Sequence, residues 1–131
     1  MLSSKYAIPH ILEAAGGSIV NTISDAVYAG MPDKVAYSGT KAGIGALTRN
    51  VASRFGKQRI GCNAISPGLV LTKSGMKNSG HLIDMVLQMM PATRVRKTED
   101  TAAMVAFLLI YLSEWITGQT ICVDGGAVMR T

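Results

Sequence analysis

Histidine, cysteine and long apolar runs are all scarce in this sequence, and each scarcity removes a class of function. The two histidines, His10 and His81, stand alone with no further ligand at metal-binding spacing, so no metal site is expected. The two cysteines, Cys62 and Cys122, lack CxxC spacing and fall inside expected strands. They read as buried, reduced thiols of a cytoplasmic protein. The longest apolar run, Ala102 to Leu112, is far short of the roughly 20 residues that cross a bilayer. The first residues show no cationic stretch followed by an apolar core and a small-residue cleavage site, so no signal peptide is read and a soluble protein is expected. Charge is thin as well. Charged residues make up 16% of the chain, and the net charge of +5 is scattered. Its densest cluster, Arg94, Arg96 and Lys97, is followed by Glu99 and Asp100, with no aromatics interleaved. That pattern reads as a solvated loop, and no nucleic-acid partner is expected.

What remains is a globular balance, 48% hydrophobic, over a length that suits one domain, residues 1–131. No repeat, linker or low-complexity segment divides it. Met1 to Ala15 reads as a helix bent or interrupted at Pro9 and stopped by Gly16 and Gly17. Ile19, Val20 and Ile23 mark a short buried strand. A helix is expected from about Ala36 to Phe55, with Ile44, Leu47, Val51 and Phe55 at helical spacing. Its Gly39, Gly43 and Gly45 cost about 1 kcal/mol each in a helix interior, so another helix or the sheet should approach closely there. Gly56 to Arg59 make a turn, and Ile60 to Ile65 form a second strand ended by Pro67 and Gly68. Strand, helix, strand implies parallel pairing through a right-handed crossover. From Lys73 a polar, glycine-bearing stretch gives way to apolar residues between Leu82 and Met90. Thr98-Glu-Asp-Thr reads as a helix start with acidic residues in its first turn. Ala102 to Leu112, apolar nearly all round, should continue as a largely buried helix. Thr117-Gly118 turn the chain into a last strand, Ile121 to Val123, which Asp124-Gly125-Gly126 close.

The chemistry concentrates between Gly17 and Lys41. Ser24 sits where the first strand ends, and Tyr37 and Lys41 are four residues apart, on one face of the following helix. A free phenol loses its proton near pH 10, roughly three units too high for ready exchange at neutrality. An ammonium beside it favours the phenolate and brings it toward the range useful to a general acid/base. The Ser24 hydroxyl can hydrogen-bond a carbonyl or an alkoxide. Together these groups suit reversible carbonyl reduction and lack only a hydride source.

The run GGSIVN, the serine thirteen residues before the tyrosine, AYSGTKAGIGALT, NAISPGLVLT and TGQTICVDGG resemble the short-chain dehydrogenase/reductase family in order and spacing, over nearly the whole chain. The resemblance implies an α/β fold of the Rossmann type, a doubly wound parallel sheet. This chain would hold its C-terminal part, about three parallel strands with flanking helices. The resemblance also implies an oxidoreductase that interconverts a carbonyl and an alcohol by hydride transfer with NAD or NADP. It assigns proton transfer to Tyr37, tuning and the cofactor ribose to Lys41, and polarisation of the substrate carbonyl to Ser24. Backbone groups near Pro67, Gly68 and Val70, with the Thr72 hydroxyl, would meet the cofactor carboxamide. The stretch from Lys73 to Pro91 would cover the substrate, with the adaptable Met76 and Met85 as its contacts beside Ser24 and Tyr37. A homo-oligomer built through the helix at about 36–55 is implied too.

One departure is large. Cofactor pyrophosphate is received by a glycine-rich turn between a first strand and a helix. The family's form, TGxxxGxG, has no match in this sequence. The chain therefore resembles a C-terminal fragment of such an enzyme, expected to bind NAD or NADP weakly by itself. The alternative is a remnant without turnover that serves as a binding, structural or oligomerisation module.

Overall fold

The computed structural model describes residues 2–70 and 80–129. In chain order these residues form α1 (Leu2–Glu13), β1 (Gly17–Thr22), α2 (Val35–Phe55), β2 (Ile60–Pro67), α3 (Gly80–Gln88), α4 (Thr98–Leu109) and β3 (Thr120–Val123). The three strands form one sheet in the order β1-β2-β3, parallel throughout. β1 and β2 run in register from Gly17 opposite Ile60 to Thr22 opposite Ile65. β3 joins only further along, from Thr120 opposite Ala64 to Val123 opposite Pro67.

Local chemistry explains the junctions. α1 passes Pro9 without interruption and ends in a turn where the Gly16 amide donates to Ile11 O and the Ala15 amide to Leu12 O. Ala15 takes a left-handed backbone there, and Gly16 follows with φ +130°. A side chain at Gly16 would lie 2.8 Å from Arg59 O, so only glycine lets α1 cross the end of the α2–β2 connection. α1 and α2 pack on one face of the sheet. Ile8, Val51, Ala52, Ile60 and Cys62 form the buried core there, with Ile11, Ile19, Leu47 and Phe55 against it. Thr48, fully buried in α2, donates to Ile44 O and accepts from the Asn21 amide, which satisfies both polar groups inside that core.

α4 lies against all three strands and is less buried than its composition predicts. The helix ends at Leu109, not Leu112, and within it only Leu108 is fully buried. Ile110 is extended, and Tyr111–Ser113 form a separate turn in which the Ser113 hydroxyl donates to Leu108 O and Ile110 O. Those bonds occupy the helix-end carbonyls and stop the helix. Phe107, Leu109, Ile110, Tyr111 and Leu112 are exposed because α4 turns one side to the sheet and no described element covers the other. Cys62 is buried as expected, whereas Cys122 is only half-buried, since β3 forms an edge of the sheet. No described helix is long and apolar enough to cross a membrane.

Candidate active site at the carboxyl edge of the sheet

Ser24 follows the end of β1 in extended conformation and caps a single 3-10 turn, Asp25–Val27, its Oγ accepting from the Ala26 amide at 3.3 Å. The hydroxyl hydrogen stays available to a carbonyl oxygen. Two side chains of α2 clasp this turn. Ser38 Oγ donates to Ala26 O at 3.0 Å, and Lys41 Nζ donates to Thr22 O at 3.0 Å. Ser24 lies between the two anchored carbonyls, and Tyr37 lies beside the two anchoring side chains in the first turns of α2. The Lys41 ammonium stands 5.8 Å from the centre of the Tyr37 ring. Tyr37 itself is 46% exposed, open to a ligand. The structure thus brings Ser24, Tyr37 and Lys41 to one sheet edge, and two of the three ammonium hydrogens of Lys41 remain for other acceptors.

Pro67 ends β2 at the same edge, and the Gly68 amide reaches Val123 O at 3.4 Å. A side chain at Gly68 would lie 2.9 Å from Asp124 Cβ and 3.0 Å from Asp25 Oδ2, so this turn depends on glycine. Val70 is half-buried just beyond. Thr72 and Met76 lie outside the described residues. Met85 is exposed on α3, with no described contact to Ser24 or Tyr37.

Behind Ser24 the structure holds a polar cluster that the sequence did not disclose. Arg96, expected in a solvated loop, is only 8% exposed. Its guanidinium donates to Val123 O at 2.6 Å and Gly68 O at 2.7 Å, binding the end of β3 to the loop after β2. Asp25, also 8% exposed, accepts from Ser66 Oγ at 2.6 Å through Oδ1. Asp124 accepts from the Gly126 and Val128 amides at 3.0 and 2.7 Å. Carboxylate oxygens of Asp25 and Asp124 and the Cys122 sulfur all lie within 4.8 Å of one another. Burial raises the Asp25 carboxyl above the ordinary range; the Ser66 hydroxyl opposes this, and the Asp124 charge adds to it. Burial likewise lowers the Arg96 guanidinium from its usual value. The remainder of the charge cluster behaves as expected. Arg94 is exposed and forms a two-pronged pair with Asp100, at 2.7 and 2.8 Å, which depresses the Asp100 carboxyl. An arginine between Arg94 and Lys97 gives no signal of burial, because its partners lie 27 and 28 residues downstream or upstream.

Among the described residues none of the three glycines of α2 marks a close approach: at Gly45, though buried, a side chain would meet only Arg49 Nη1 at 3.9 Å, and at Gly39 or Gly43 nothing within 4 Å. Close packing among the described residues therefore accounts for neither Gly39 nor Gly43, against the expectation of a close approach within the chain.

Comparison with known proteins extends this geometry. A family profile described as Enoyl-(Acyl carrier protein) reductase matches residues 1–128. The 7alpha-hydroxysteroid dehydrogenase of Bacteroides fragilis is 37% identical over 131 residues, covering 99% of this chain and 51% of its own. Among solved structures, a short-chain type dehydrogenase/reductase from Mycobacterium ulcerans superposes with TM-score 0.88 at 31% identity, covering 95% of this chain and 46% of its own. A 3-oxoacyl-[acyl-carrier protein] reductase from Brucella melitensis with bound NAD gives TM-score 0.86 at 29% identity, covering 98% and 47%. The chain spans about half the length of the relatives it matches.

Proposed function

The chain belongs to the short-chain dehydrogenase/reductase family, and from that premise we propose that it carries the proton-relay half of an NAD(P)-dependent oxidoreductase interconverting a carbonyl and an alcohol. The observation that carries this reading is the clasp of α2 on the Ser24 turn. Ser38 and Lys41 hold the carbonyls on either side of Ser24, with the exposed Tyr37 beside them. Ser24 donates its hydroxyl hydrogen to the substrate oxygen, and Tyr37 gives or takes the proton there. Lys41 is the cation beside the phenol, with two donors left for ribose hydroxyls.

The nicotinamide end of a dinucleotide fits the residues present. Lys41 and the backbone at Pro67, Gly68 and Val70 stand at the carboxyl edge of parallel strands, where such ligands bind in open α/β sheets. Thr72 and Met76 join this site by family resemblance alone. The bound cofactor would supply or accept the hydride. The pyrophosphate end has no glycine-rich turn in this sequence, and weak binding by this chain follows. The relatives' printed substrates support a small-molecule carbonyl or alcohol as the substrate class.

Gly39 and Gly43, open on α2, favour a second role as a surface for a further copy of the chain. In the remnant reading, that surface is the function and turnover is absent. Replacing Tyr37 with Phe separates the readings. Carbonyl reduction with NADH or NADPH should fall by about 10²- to 10⁴-fold while circular dichroism and association are kept. A well-folded parent chain that turns over none of a panel of ketones leaves the module reading.

A further inference from the structure

Asp25 and Asp124 pose a problem of accounting. Both carboxylate oxygens of Asp124 and one oxygen of Asp25 have donors, but Asp25 Oδ2 is buried and has no hydrogen-bond partner. An ionised carboxylate only accepts, so two facing carboxylates cannot satisfy each other. Arg96, the one cation of the cluster among the described residues, does not help, because both its terminal nitrogens go to backbone carbonyls and its Nε, also buried, has no partner. Arg96 balances one negative charge; a second, in a site that is nine-tenths buried, would stand uncompensated. Both Asp124 oxygens already accept from backbone amides, so the unpartnered Oδ2 of Asp25 is the oxygen left to carry a proton.

We infer that Asp25 is a neutral carboxylic acid whose Oδ2 proton is donated toward Asp124, making it a positioning residue that fixes the Ser24 turn against the Gly68 loop. The described segments of the edge then meet in one network, in which Asp25 Oδ2 is satisfied. Asp25 brings the turn after β1, Ser66 the end of β2, Asp124 the end of β3, and Arg96 the lead into α4. Cys122 faces the carboxylates from β3. On the remaining side α2 presents the Ser38 hydroxyl, given to Ala26 O, and the Lys41 ammonium, given to Thr22 O. The inferred role rests on the active-site reading above, but the protonation state stands independently of turnover, and its test reads no activity.

Asp25→Asn mimics the neutral acid, with an oxygen for Ser66 and an amide donor for Asp124; Asp25→Ala does not. In wild type the folded state holds the proton more tightly than the unfolded chain. Its stability therefore falls as pH rises above the unfolded carboxylate value of about 3.9, until the folded group itself ionises. Asp25→Asn should match wild type at acid pH and gain on it above that value, melting about 3 °C higher or more at neutrality. Infrared spectra of wild type at pH 7 should contain a protonated-carboxyl band that Asp25→Asn removes. Hydrogen exchange at Gly68, Gly126 and Val128 should quicken in Asp25→Ala and return to wild-type rates in Asp25→Asn. An Asn variant that loses stability as pH rises, with no such band in wild type, means an ionised Asp25 and overturns the inference. A wild-type melting point raised by magnesium or calcium, with no response in Asp25→Asn, puts a cation in place of the proton and overturns it too.

Discussion

At the carboxyl end of the strands, polar side chains are buried and converge on one another, whereas at the amino end and along α4 apolar side chains stand uncovered. Arg96, Asp25, Ser66 and Asp124 represent the first region. Tyr111, Leu112 and a Trp115 that is 100% exposed represent the second. A groove of about 560 Å³ lies in the second region, lined by Gly16, Arg59, Tyr111 and Trp115 among others, far from the chemistry. The contrast teaches that groove size does not locate this site. Converging hydrogen bonds do, because burying polar groups is costly unless geometry repays it.

Three variants bear on that contrast. Arg96→Met should have the largest effect, since it removes the donors to Gly68 O and Val123 O and leaves buried negative charge without its cation. A loss of about 3 kcal/mol or more in urea unfolding is expected. A neutral outcome would make the cluster incidental and dissolve the distinction between the two regions. Ser66→Ala strips one donor from Asp25 Oδ1 and should cost about 1–3 kcal/mol by the same measurement. Replacing Tyr111, Leu112 and Trp115 together with serine should change stability least, by about 0.5 kcal/mol per site or less. The same variant should reduce self-association in analytical ultracentrifugation, because an exposed apolar patch of this kind promotes it. A large loss of stability there would mean that these side chains are already covered.

The strands, three of the helices and the Ser24–Tyr37–Lys41 grouping were legible because each rests on short-range pattern, whereas α3 was read only as a polar and then apolar stretch. Helical spacing carries Tyr37 and Lys41, and the Pro67-Gly68 pair ends β2. Three things were not legible, for different reasons. The apolar run after Ala102 reads as a buried helix, since composition reports how apolar a segment is and not how many of its sides find partners. Arg96 reads as solvated because local charge dominated, while its acceptors are carbonyls supplied by two strand ends distant in sequence. Asp124, beside two glycines, reads as a strand terminator, and its facing of Asp25 appears only once the sheet is assembled.

The late entry of β3 gives the sheet a taper. It is two strands wide where Gly17 meets Ile60 and three wide where Thr22, Ile65 and Ile121 stand side by side. Below the ladder, the passage into β3 is stitched by Asn63, which donates to Ile116 O and accepts from the Gln119 amide, and by Thr117, which accepts from the Cys62 amide. Amide exchange is therefore expected to be fastest at the narrow pole, by Trp115, and slowest at the broad pole, where Ser24 and Gly68 must keep their spacing.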